Sequence, residues 1–223
     1  MASGRLINRD KLARAKEQRA VRKRRILEEA GSTFMRMAYS EVTLDTIGQR
    51  ADVERGVASM FFGSKEELFL IVFKELLEEW FGYLQRRLSA DDEISEPERL
   101  ALLLARSVAK RPALTKFLSL LPVVLEQDLE AMVVYRFQRW RCDRMTALGA
   151  LMERAASCLG EGGGFGLLYR VQLVAAGLEM AANPRGAAAF ERETPEFVGL
   201  WVDMENELAD VIAGYLDAAR DVG

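Results

Sequence analysis

Between Thr43 and Ser64 the chain carries so many helix start and stop signals that only two short helices and one tight turn fit. Thr43 is a good N-cap, and Asp45 sits in the first turn, where the helix dipole favours an acid. Leu44, Ile47 and Ala51 then share one helical face. The turn is made at Ala51, Asp52 and Val53, and a second short helix is expected over residues 54–61. Gly63 and Ser64 end it. Ser64 caps the next helix, and Glu67, three residues on, completes a capping box. That helix is long, residues 65–88, with Leu68, Phe69, Val72, Leu76, Trp80, Phe81 and Leu84 apolar. Upstream, Ile26, Leu27, Ala30, Phe34 and Met37 mark one more helix, so the region reads as a helix-turn-helix.

The rest of the chain repeats apolar residues at helical spacing and shows no convincing period-2 strand, which makes the fold class all-α. The polar stretch at residues 89–99 is the clearest boundary. Ser95 or Glu96 followed by Pro97 starts another helix, ending near Arg111, and Pro112 and Pro122 bracket a shorter one. Residues 129–159 form a long helical stretch, residues 165–182 the next helix and residues 195–219 the last. The glycines at 162–164 follow no strand and precede no Gly-Lys-Ser/Thr, so they read as a flexible turn rather than a phosphate loop.

Charge is divided unevenly along the chain. Residues 1–65 hold 14 Lys and Arg against 8 Asp and Glu, while the remainder holds 17 against 26. A basic head on an acidic body points to a polyanion meeting the head alone. Residues 5–25 contain ten Lys and Arg and little to bury, so they are expected to form a frayed or transient helical arm.

Several chemistries are disfavoured. The chain has no histidine, which removes His-dependent triads and His metal sites, and no pair of carboxylates stands out as catalytic. Neither enzyme activity nor a cofactor is expected. Cys142 and Cys158 are two isolated thiols, consistent with a reduced cytoplasm. On one continuous helix they would lie about 24 Å apart and could not pair. Residues 1–25 lack the apolar segment of a secretory signal, and the longest apolar runs fall short of a bilayer span, so no membrane partner is expected.

The stretch "ILEEAGSTFMRMAYSEVTLDTIGQRADVERGVASMFFGSKEELF" resembles the N-terminal domain of the TetR family of bacterial transcriptional repressors. The resemblance lies in spaced motifs in order: I-L-x-x-A-x-x-x-F, a capping Thr, D-x-I-x-x-x-A, V-x-x-G with Gly56 as its glycine, and F-x-S-K-E-E-L. Residues 98–130 resemble one branch of the family's more divergent C-terminal part. The resemblance implies about nine helices: a basic arm over residues 1–20, a DNA-binding domain over 21–66, and an effector-binding and dimerisation domain over 67–223. It implies a cytoplasmic homodimer on double-stranded DNA with a palindromic operator, released by a small-molecule effector. The dimer would use the last two helices, through Leu168, Val171, Leu178, Trp201, Val202, Leu208 and Ile212.

In such a head, phosphate neutralisation is well supplied. Arg22, Arg24 and Arg25 lead into the first helix, the cap at Thr43 aims a helix N-terminus, and Lys65 matches a phosphate-contacting family lysine. Base readout is sparse. Family members usually carry Ser, Thr, Leu and Tyr where this chain has Glu54, Val57, Ala58 and Ser59, and Asp52 stands at the usual turn glycine. Glu54 is left as a weak cap. Arg55, Ser59 and Gln49 remain to reach base edges, with Val57 and Met60 for thymine methyls. Three readings stay open: weak base readout supported by shape and the arm, Met60 and Phe61 packed inward with specific binding lost, or an apolar tip that meets another protein. For the effector, the large or flexible residues of the body are Trp80, Phe117, Leu121, Tyr135, Trp140, Met145, Tyr169 and Met180, whose character favours an apolar or aromatic ligand.

Overall fold

The computed structural model describes residues 2–90, 96–120, 129–184 and 194–222, and every regular element among them is helical. The α-helices are α1 (Ala2–Arg36), α2 (Leu44–Arg50), α3 (Val57–Phe61), α4 (Lys65–Ala90), α5 (Pro97–Ala109), α6 (Pro112–Leu120), α7 (Ala131–Ala155), α8 (Gly163–Ala182) and α9 (Met204–Val222). Contacts divide the chain into two compact units, Met1–Val72 and Phe73–Gly223, with the boundary inside α4.

In the first unit, Ile26, Leu27, Ala30 and Phe34 of α1 are buried with Val42, Ile47, Ala51, Ala58, Phe62 and Phe69. The arm expected to be helical runs directly into the first helix, and the two form α1, one helix of 35 residues. Residues 5–30 contain neither proline nor glycine and are rich in Arg, Lys, Ala, Leu, Glu and Gln, which favour helix. The side chains of residues 11–25 are nonetheless exposed.

The second short helix is shorter than its spacing suggested. Only Val57–Phe61, five residues, are helical, preceded by Gly56 at φ +80°. That left-handed step, which glycine takes readily, makes Gly56 the N-cap and leaves Glu54 without the capping role expected of it. Asp52 adopts φ +51°, the left-handed turn the missing glycine would supply. Ser64 caps α4 by accepting from the Glu67 N–H at 3.1 Å, and the Glu67 carboxylate accepts in return from the Gly63 N–H at 2.9 Å.

In the second unit, α8 packs against α6, α7 and α9, and α5 runs along α9. Trp80 is fully buried and donates its indole N–H to Ser107 Oγ at 2.8 Å, while Ser107 donates to the Leu104 carbonyl at 2.7 Å. The turn expected here is real at Gly160 and Gly162, at φ +62° and +77°, but the glycines after it belong to a helix. Gly163, Gly164 and Gly166 lie inside α8, and a Cβ on Gly164 would stand 2.2 Å from the Gly149 carbonyl oxygen of α7. Glycine is required there because two helix backbones touch. The C-terminal helix is also divided: Pro195–Leu200 form a 3-10 turn, and α9 begins at Met204. Asp203 starts it, its carboxylate accepting from the Glu205 and Asn206 N–H groups at 3.0 and 3.1 Å. Cys158 lies in a separate 3-10 turn, Ser157–Leu159, so the two cysteines do not share a helix. Helix α8 is long and apolar enough to cross a bilayer, but Leu167, Leu168, Val171 and Ala175 bury one side of it in the protein.

Candidate nucleic-acid interface

The first unit gathers its candidate contacts on α1, the start of α2, the turn and α3. Thr43 caps α2 as expected, accepting from the Thr46 N–H at 3.1 Å, and the two hydroxyls meet at 2.8 Å. Gln49 is exposed at the far end of α2. Arg55 is exposed and lies before α3 rather than on it, its Nε 3.5 Å from the Asp45 carboxylate. So exposed an ion pair is worth little and gives way readily to a phosphate or a guanine edge.

On α3, Ala58 faces the core while Ser59 and Met60 face outward. Met60 is 78% exposed, which removes the reading in which it packs inward. Val57 and Phe61 are half-buried. The outward surface is thus one hydroxyl and one thioether, able to touch thymine methyls but short of donors and acceptors.

The basic residues of α1 reach this short helix. The Arg19 guanidinium lies over the Phe61 ring at 5.3 Å, and the Lys23 ammonium lies 5.7 Å from the Phe62 ring centre. Both fall within the basic stretch read from the sequence, which did not foresee their ring contacts, although a spacing of four on one helix was a signal. Arg22 is exposed, Arg24 meets Glu28 at 2.8 Å, and Arg25 meets Asp52 at 3.3 Å. Lys65 is half-buried. It donates to the Tyr39 carbonyl at 3.2 Å and lies 4.2 Å from the Tyr39 ring centre. Tyr39, also missed, therefore anchors the cation at the start of α4.

The second unit does not assemble the candidate effector residues into one place. Trp80 and Phe117 are core, Tyr135 and Met180 are exposed, and Trp140 is half-buried between Phe81 and Phe137. Leu121 lies outside the described residues. Among the described residues, Met145 and Tyr169 line a common cavity, of about 450 Å³, between α6, α7 and α8. A wider groove of about 690 Å³ lies along α4 and α5. Three of its arginines, Arg99, Arg106 and Arg111, are paired with Glu96, Glu205 and Glu79.

The candidate dimer residues divide as well. Leu168, Val171, Leu208 and Ile212 are buried within one chain and present no surface to a second. The helical spacing that marked them reports a core face. Leu178 and Val202 are half-buried, and Trp201 is exposed in the link before α9. Other apolar residues of these helices face out, Leu173 and Met180 on α8 and Val211 on α9.

Residues 26–72 match the family described as bacterial regulatory proteins, tetR family. Residues 74–217 match a tetracyclin repressor-like C-terminal domain. Over 58 residues the chain is 41% identical to an uncharacterized HTH-type transcriptional regulator, YhgD, of Bacillus subtilis (strain 168). That stretch covers 26% of this chain and 30% of the relative, so the likeness spans less than a third of that protein.

Proposed function

The chain belongs to the tetR family of bacterial regulatory proteins, a DNA-binding transcriptional regulator, and from that premise we propose that it is a homodimeric repressor released from a palindromic operator by a small effector. The observation that carries the DNA-binding mode is the basic α1 running past α3, with Arg19 and Lys23 over Phe61 and Phe62. Phosphate contacts along α1, at Thr43 and at Lys65 supply affinity. Arg55, Gln49, Ser59 and the Met60 thioether supply what base readout there is, and DNA shape supplies more. Two heads in a dimer meet half-sites about one helical turn apart. An effector that prefers a different spacing of the heads shifts the population away from the operator-bound form. The dimer would draw on the outward residues Met180, Trp201 and Val211 rather than on the buried set. The protein acts without catalysis, in the cytoplasm.

A second reading has its own support in the sparse outer face of α3: a ligand- or protein-binding helical module whose head no longer selects a sequence. Duplex binding across a salt series separates the two. A steep salt slope with a sequence optimum supports the repressor, and binding that is indifferent to sequence supports the module.

A further inference from the structure

The chain beyond residue 65 is acidic, yet the groove along α4 and α5 has a basic wall. All its lining residues belong to the second unit. Arg106 lies in the last turn of α5, Lys110 is its C-cap and Arg111 follows, so three cations meet at one end of the groove. The Arg111 guanidinium lies over the Tyr83 ring at 4.7 Å and donates from Nη1 to the Ser107 carbonyl at 2.7 Å. Its Nη2 stands 3.7 Å from the Glu79 carboxylate, too far for a hydrogen bond, and its Nε is buried without an acceptor among the described residues. Lys110 is exposed, and no carboxylate among the described residues pairs with it. Arg106 meets Glu205 at 2.8 Å in an exposed pair, which gives way to a better anion at little cost. Tyr83, Leu102 and Leu103 line the same space.

We propose that this groove binds a small, multiply charged phosphate ligand, its oxygens shared among Arg106, Lys110 and Arg111. Three cations facing one another in a groove repel, and a single carboxylate would leave most of that repulsion in place. An oligophosphate brings several charges and enough acceptor oxygens for two guanidinium groups and an ammonium. Tyr83, Leu102 and Leu103 are placed to meet an organic portion where the phosphates carry one. The groove's 690 Å³ lies within the range of small-ligand sites. The site is independent of the repressor reading, because none of its residues serves the head.

The test is calorimetric titration of the full-length protein, without magnesium, with inorganic phosphate, tripolyphosphate, ATP and adenosine. Tripolyphosphate should bind about tenfold or more tighter than inorganic phosphate, as expected for one further hydrogen bond between charged groups. ATP binding tighter than tripolyphosphate supports a nucleotide-like ligand, and equal affinity supports a plain oligophosphate. The basic head also attracts such anions, so the site is read from variants. Lys110→Glu should weaken tripolyphosphate about tenfold or more. Arg136→Glu, the same charge change at an exposed residue outside the groove, should alter it by no more than about twofold. Where Lys110→Glu fails to fold, Arg106→Gln gives the same comparison. No tripolyphosphate binding, adenosine binding as tightly as ATP, or equal losses in the Lys110 and Arg136 variants overturns the proposal. So does a Lys110→Glu protein that loses duplex affinity as steeply as it loses tripolyphosphate, because the groove would then be part of a DNA-contacting surface.

Discussion

The guanidinium carbon of Arg19 stands 5.3 Å from the centre of the Phe61 ring, so the basic α1 and the short α3 meet through a cation and an aromatic face. Such a contact is worth roughly 0.5–1 kcal/mol at an exposed site. Its larger consequence is positional, since it holds α1 against the helix that would enter the groove.

Arg19→Gln should therefore lower affinity for every duplex alike. The slope of log K against log salt should become shallower by about 0.9, the value of one lost phosphate contact. Deleting residues 2–18 removes five further cations, Arg5, Arg9, Lys11, Arg14 and Lys16, and should flatten the slope more while leaving sequence preference unchanged. Altered preference with an unchanged slope contradicts a phosphate role for α1.

Arg55 is expected to behave differently, because it is an exposed long donor just before α3 that can fork onto a guanine. Arg55→Ala should relax selectivity at one base pair by about 1–3 kcal/mol, read from bound-sequence selection. Unaltered preference at every position would remove Arg55 from base readout.

Gly164→Ala tests the contact between α7 and α8. The new methyl would meet the Gly149 backbone at 2.2–2.8 Å, so the two helices must separate. The expected loss is about 2 kcal/mol or more, seen as a lower melting temperature. An unchanged melting temperature contradicts the close backbone approach.

Ser107→Ala would leave the buried Trp80 indole N–H without its acceptor. Such a donor costs about 1–3 kcal/mol in stability, measurable by urea unfolding, with little effect on DNA binding by the intact protein.

Much of the fold was legible because local chemistry and global arrangement agree. Thr43 and Ser64 cap the helices their side chains suggested, Pro97 and Pro112 begin α5 and α6, and Asp52 takes the left-handed turn. What was not legible depends on partners distant in sequence. Helical spacing at Leu168, Val171, Leu208 and Ile212 marks a buried face but does not say whether the covering surface belongs to the same chain. Gly164 read as flexible because nothing local announces Gly149. The Arg141–Gln172 hydrogen bond joins residues 31 apart whose types, taken singly, suggest solvent. At the head, the motif frame was plain, and the orientation of Met60 required the packing of Ala58 and Phe62.

Under the proposed repressor reading this head still selects DNA, with cations on α1 supplying affinity and Arg55 beside α3 supplying more of the base readout than α3 itself. Selection of bound duplexes from a random pool, with the winner titrated across a salt series, tests it most directly. The expected outcome is an enriched two-fold symmetric sequence with half-sites about one helical turn apart and a steep salt slope. Equal recovery of all sequences, or affinity indifferent to salt, would contradict it.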